Sequence, residues 1–208
     1  NLSALSVAVV KGLKDKAARI TTELLKNEEA VTIINEKLIP GLDVVGKGFE
    51  KKTVFLPQLL MAAEAAKSAF EVIKEYLSKT GKKGKPKGKI VLATVHGDIH
   101  DIGKNIVKVL LENYDFEVID LGKDVPAEKV VEAVIKNNVK LAGLSALMTT
   151  TVPAMKETIE LLKQKAPECK TVVGGAVLTQ EYADMIGADK YAKDALDTVH
   201  YAQSIFGA

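Results

Sequence analysis

The residues able to do chemistry are concentrated in Thr94-Val95-His96-Gly97-Asp98-Ile99-His100-Asp101-Ile102-Gly103-Lys104-Asn105. A carboxylate and an imidazole stand two residues apart, followed at once by a second carboxylate, a set suited to metal ligation or acid–base work. Spacing narrows the chemistry. A dinucleotide-binding turn needs G-x-G-x-x-G, and only Gly97 and Gly103 are present. A phosphate-binding P-loop needs four residues between its glycines and a hydroxyl after the lysine. Here five intervene, Asn105 replaces the hydroxyl, and Asp98 and Asp101 would repel phosphate. A phospho-acceptor domain wants an Asp after its third strand, where this chain has Ser145. His96 and His100 are four apart, which is diagnostic of zinc on a helix but not in a loop. A catalytic His100 oriented by Asp98 or Asp101 would find only loop hydroxyls as nucleophiles. The remaining arrangement is one imidazole ligating the metal of a large cofactor, its far nitrogen held by a carboxylate.

These residues need a strand before them and a helix after them. Lys89–Val95 is an apolar run that reads as a buried parallel strand, and Ile106, Val109 and Leu110 mark one face of a helix over 103–113. Further strands are predicted at 116–121, 139–146, 170–174 and 190–192. Helices are predicted at 126–137, 152–166, 179–186 and 194–206. Alternation of this kind implies a doubly wound, parallel, five-stranded sheet of Rossmann-like or flavodoxin-like type, covered on both faces. Such sheets hold ligands beyond the carboxyl ends of their strands, near the topological switch point. Three loops therefore converge there: Gly97 to Gly103, Ser145 to Thr151, and Gly174-Gly175-Ala176. Ser145, Thr149, Thr150 and Thr151 put four hydroxyls into seven residues, suited to ligand contacts or to capping the next helix. The Gly pair allows a bulky planar group to approach the backbone.

The first eighty residues have helical spacing and no hairpin signals. Four helices are predicted, over 2–11, 14–26, 28–45 and 57–78, forming a small antiparallel bundle. Pro40-Gly41 should kink or break the third, and Pro57 suits the first turn of the fourth. From Val45 to Leu59 large apolar side chains stand on a Gly-rich bend and a helix start. They read either as a helix–helix corner or as an apolar lid over a ligand. The Gly/Lys stretch 79–89 has linker composition, giving a helical domain over 1–84 and an α/β domain over 85–208.

Apolar residues make up 47% and charged ones 27%, a globular profile. No run of about 18 apolar residues exists to span a membrane. Net charge is +2 and Arg19 is the sole arginine, which argues against a nucleic-acid partner. The chain opens on Asn1 rather than Met, so a missing signal-peptide pattern carries little weight. The single Cys169 fits a reducing, cytoplasmic setting.

The pattern Asp98-x-His100-x-x-Gly103, with Ser145-x-Leu147 and Gly174-Gly175 at later strand ends, resembles the signature of cobalamin-binding domains. The bundle, with Gly48-Phe49-Glu50 and Phe55-Leu56-Pro57-Gln58, is similar to the cap of methionine synthase and of the corrinoid proteins of methyltransferase systems. The likeness spans essentially the whole chain. It implies a methyl carrier that binds cobalamin base-off and passes methyl groups from a donor to tetrahydrofolate or a thiol, without catalysing either transfer itself. Its partners would be a substrate-specific methyltransferase, a second methyltransferase serving the acceptor, and a reductive activase. His100 would be the lower ligand of cobalt, Asp98 its hydrogen-bond acceptor, and Thr151 the next hydroxyl in the relay. Gly103 would make the turn into the helix. Ser145, Leu147, Thr149, Gly174 and Gly175 would contact the cofactor, and Phe49, Leu56 and Leu59 would cover its upper face. His96, Asp101, His200 and Cys169 match no position of the motif. Other readings remain. The chain could be the binding module of a methionine synthase or a cobalamin-sensing regulator. Adenosyl-dependent mutases carry Arg where Ile102 stands and lack the cap.

Overall fold

The computed structural model describes residues 2–80 and 86–207. It divides into two compact units, Asn1–Gly81 and Lys82–Ala208. The boundary read near residue 85, and most of the Gly/Lys linker, lie outside the described residues.

The first unit is a helical bundle built from α1 (Ala4–Val10), α2 (Lys14–Leu24), α3 (Ala30–Ile33), α4 (Ile39–Glu50) and α5 (Leu56–Thr80). Its core is Leu5, Val9, Ala17, Ile33, Ile34, Leu38, Val45 and the alanine face of α5, Ala62, Ala65, Ala66 and Ala69. The expected break at Pro40 does not occur. A π-helical turn over Ile34–Leu38 joins α3 to α4 directly, so one rod runs from Ala30 to Glu50. The proline ring cannot fit against a normal preceding turn, and the wider turn just before it relieves that clash. The buried hydroxyl of Ser6 donates to the Lys37 carbonyl at 2.7 Å, adding a donor where the ladder is disturbed. The predicted bend at Val45 to Phe49 is therefore the last turns of α4. The actual corner spans 51–55, with Lys52 at φ 59°. Gly48 is needed there because a Cβ would stand 2.5 Å from Val54. Gln58 Oε1 accepts the Phe55 N–H at 2.8 Å and caps α5.

The second unit alternates β1 (Lys89–Thr94), α6 (Ile102–Asn113), β2 (Glu117–Asp120), α7 (Ala127–Asn137), β3 (Leu141–Ser145), α8 (Val152–Lys165), β4 (Lys170–Gly174), α9 (Gln180–Ile186), β5 (Lys190–Tyr191) and α10 (Ala195–Phe206). Every predicted strand is present to within two residues. All pairings are parallel, in the order β2-β1-β3-β4-β5, which is the flavodoxin-like arrangement with its switch point between β1 and β3. Val91, Ala93, Val95, Ala142, Leu144 and Val173 form one side of a core closed by α7, α8 and α9 through Val130, Val134, Met155, Ile159, Leu162 and Ile186. The alternate strand residues Ile90, Leu92, Leu141 and Val172 are also buried, and α6 packs with α10 beside β1 and β3. Register decides the site: Thr94 pairs with Ser145, and Ser145 with Gly174, so three candidate loops leave the sheet side by side. Among the described residues, no helix is long and apolar enough to cross a membrane.

Candidate functional site

The loop after β1 begins with Gly97 at φ +82°, and the Asp98 N–H returns to the Val95 carbonyl at 3.1 Å. This tight turn drives the Asp98 side chain back into the sheet edge, where it is fully buried. Such a burial would be costly for a carboxylate without partners. Here one oxygen accepts the His100 N–H at 3.0 Å and lies 2.8 Å from His100 Nδ1. The other accepts the Leu147 N–H at 2.7 Å, the Met148 N–H at 3.3 Å and the Thr151 hydroxyl at 2.9 Å. The Thr151 oxygen also lies 2.8 Å from the Met148 carbonyl. Its one proton favours Asp98, because an ionised carboxylate is a stronger acceptor than a neutral carbonyl.

Burial alone would raise the Asp98 carboxyl. The donors from the His100 backbone, the Leu147 backbone, the His100 ring and Thr151 outweigh it and hold the group at about 2. An ionised Asp98 only accepts, so the proton on the His100 ring sits on Nδ1. In the neutral ring Nε2 then carries the lone pair, on a side chain 44% exposed, and it has no hydrogen-bond partner among the described residues. The exposed apolar side chains of Ile99 and Leu147 belong to the same two loops. Among the described residues no three His, Cys, Asp or Glu side chains are grouped to hold a metal ion. A metal that already carries most of its ligands, as the metal of a macrocycle does, needs only one such imidazole from the protein.

The remaining candidates fall into different places. Ser145 lies 2.8 Å from the Thr94 hydroxyl at the sheet edge, and Thr149 is exposed in the short 3₁₀ turn Thr149–Thr151. Leu147 serves Asp98 through its backbone N–H rather than its side chain. Gly175, at φ +136°, is required by the chain itself, since a Cβ would stand 1.8 Å from the Ala146 carbonyl oxygen. Gly174 would meet only ordinary contact, 3.4 Å from the Ala192 carbonyl. Gly103 does not make the turn. It lies in the first turn of α6, and a Cβ there would meet nothing within 4 Å. The turn belongs to Gly97, and the space over Gly103 is open beside the imidazole loop. Phe49, Leu56 and Leu59 lie in the other unit, at the end of α4 and the start of α5. There Phe49 and Leu56 are exposed together with Val44, Phe55, Leu60 and Met61, and Leu59 is half-buried. This is an unusually apolar surface for one helix corner.

Two features went unread in the sequence. Lys104, only 4% exposed, donates to Asp120 at 2.7 Å and to Asn105 at 2.7 Å. Burial would raise the Asp120 carboxyl, but the Lys104 ammonium and the Gly122 N–H bring it down. His96 is not idle, since its Nδ1 lies 2.9 Å from Asp124. No local pattern announces the Lys104–Asp120 or His96–Asp124 contact, because the first joins α6 to β2 and the second joins two loops.

A flavodoxin-like sheet that offers one oriented imidazole at its carboxyl edge, beside glycine-cleared space, defines a cradle for a metal-containing cofactor. Family models agree: the B12 binding domain matches residues 88–200, and a second B12 binding domain model matches residues 2–74. The chain is 42% identical to dimethylamine corrinoid protein 1 of Methanosarcina acetivorans, over 98% of this chain and 96% of that protein. The structure of the Methanosarcina barkeri monomethylamine corrinoid protein superposes with a TM-score of 0.89 at 32% identity, covering 98% of this chain and 97% of that one. A chain of the methanol:cobalamin methyltransferase complex from Methanosarcina barkeri is 32% identical, with a TM-score of 0.58 and coverage of 98% and 78%. The protein belongs to the B12-binding family of corrinoid proteins, and its cofactor is a cobalamin-type corrinoid.

Proposed function

We propose that the protein carries methyl groups within a methyltransferase system, with His100 as the protein-derived lower ligand of its corrinoid. The observation that supports this most is the 2.8 Å contact of His100 Nδ1 with the fully buried Asp98 carboxylate, on a side chain that is itself 44% exposed. When bound, the corrinoid supplies a cobalt centre that accepts and releases a methyl group. Everything else is done by the chain. Asp98 holds the Nδ1 proton at 2.8 Å and, by staying ionised, increases the electron density available at Nε2. Thr151 and the Leu147 N–H fix that carboxylate, so imidazole orientation is set by the register of β1 against β3. The open space over Gly103 would leave room for the cofactor. Ser145, Thr149 and the Gly174-Gly175 turn, which stand at or just beyond the carboxyl ends of β3 and β4, would hold the nucleotide part of the cofactor. Phe49, Leu56 and Leu59 would shield the bound cofactor from water, and the exposure of Phe49 and Leu56 in the helical unit supports that role.

The partners follow from chemistry: one methyltransferase to load the carrier, another to unload it, and a reductive activase to restore the reduced metal. The relatives are corrinoid proteins named for dimethylamine and monomethylamine, and a methylated amine is the donor class they favour. The test is reconstitution of the full chain with cobalamin and paramagnetic resonance of the Co(II) form. Nitrogen splitting that changes on ¹⁵N-histidine labelling is expected, and it should vanish in His100→Ala. Splitting that still responds to ¹⁵N-histidine labelling in the variant refutes the assignment.

A further inference from the structure

Asp98 is held on two sides, and only one of them is its carboxylate. Its own carbonyl accepts the Asp124 N–H at 2.9 Å. Asp124 also returns its side chain to the same loop: Oδ1 accepts the Gly97 N–H at 2.7 Å and lies 2.9 Å from His96 Nδ1. The β2–α7 loop that carries Asp124 is itself fixed. Gly122 accepts the Thr94 N–H at 2.9 Å, and the Val125 N–H donates to the Thr94 carbonyl at 3.1 Å. Asp120 takes the Gly122 N–H at 2.9 Å and the buried Lys104 ammonium at 2.7 Å, with Lys108 3.6 Å from its other oxygen. Lys104 lies in the first turn of α6, so the segment containing His100 is clamped at both ends by one neighbouring loop. Asp124 sits at φ 54°, a conformation that a residue other than Gly, Asn or Asp holds at a cost. Its carboxylate reaches Gly97 from that conformation.

We propose that Asp124 is a positioning residue for His100: by anchoring Gly97 and the Asp98 backbone, it sets the depth at which the Asp98 carboxylate meets His100 Nδ1. Lys104 and Asp120 hold the loop from which Asp124 acts. The inference rests on His100 being the cofactor ligand, but its first readout does not. Asp124→Gly removes the carboxylate at a backbone angle that glycine adopts freely, so lost anchoring is separated from strain. Asp124→Asn keeps an acceptor oxygen and tolerates the same angle.

In the full-length apoprotein, Asp124→Gly should speed amide exchange at Gly97, His100 and Leu147 about tenfold, the loss of one charge-assisted hydrogen bond. Exchange at Val91 and Ala93 in β1 should stay unchanged. The Nε2–H form of His100 should appear in ¹⁵N-histidine spectra, which contain only three imidazoles to assign. In the cobalamin-loaded protein, the fraction of Co(II) showing histidine nitrogen splitting should fall. Asp124→Asn should give a smaller effect of the same sign at every one of these probes. It also keeps the test decisive if the glycine variant does not fold. A change confined to Gly97, with the His100 tautomer, Leu147 exchange and nitrogen splitting at wild-type values in the variant that folds, overturns the proposal. Wild-type protein without histidine splitting would instead refute the ligand assignment, and the apoprotein exchange data would still decide the role of Asp124.

Discussion

Replacing Asp98 by Asn tests the physical core of the site, because it keeps shape and removes charge. Holding the carboxyl at about 2 rather than its ordinary 3.8 contributes about 2.5 kcal/mol at neutral pH. The amide also presents only one acceptor oxygen to two sets of donors. If that oxygen stays with His100, the amide nitrogen faces the Leu147 N–H, which then loses its partner. A stranded backbone donor costs about 1 kcal/mol or more, part of it already contained in the Leu147 N–H bond that lowers the carboxyl, so the α/β unit should lose about 3 kcal/mol at pH 7. The sign with pH follows from the depressed value. The Asp98 contribution is fully present above about pH 4, is lost as pH falls towards 2, and is nearly gone at pH 2. Other carboxylates, among them Asp120 and Asp189, are also lowered and weaken the wild type in acid, so the informative quantity is the gap between wild type and variant. Amide exchange of β1 and β3, followed with urea at pH 7, 4 and 2, reads that gap in the correct unit. Equal stability at pH 7, or a gap that does not narrow between pH 4 and 2, would refute the reasoning.

Gly103→Ala should leave the apoprotein as stable as wild type or up to about 1 kcal/mol more stable, since alanine favours the helix and its Cβ meets no protein atom within 4 Å. If the macrocycle uses that space, cobalamin affinity measured by absorbance titration should nevertheless fall at least tenfold; unchanged affinity removes Gly103 from the binding surface. The Cys169 thiol is buried and pushed up to about 12 by that burial and by Asp189. Native protein at pH 8 should therefore react with a disulfide reagent orders of magnitude more slowly than protein in 6 M guanidinium, and rapid native labelling would contradict the burial of β4's entry.

How much of this was readable in the chain depended on distance along it. The alternating strands and helices were visible because a buried parallel strand is a local apolar run and an amphipathic helix a local period. For His100, proximity offered both Asp98 and Asp101 as partners, and the choice of Asp98 came through the family resemblance. Thr151 could be proposed only through resemblance, since 53 residues part it from Asp98. Local rules misplaced the Pro40 break, because a π turn and Ser6 absorb the ring through packing against α1. The resemblance assigned the turn to Gly103, whereas Gly97 holds the positive φ.

By itself, then, the sequence determined which elements form and which residue types stand at the strand ends, because propensity and periodicity act over a few residues. Only the tertiary structure decided which of those residues act together. Asp98 meets Leu147 because Thr94 pairs with Ser145, and Asp124 meets Gly97 across 27 residues because β2 lies beside β1. Strand order and register fix those distances, and neither is a local property of the chain.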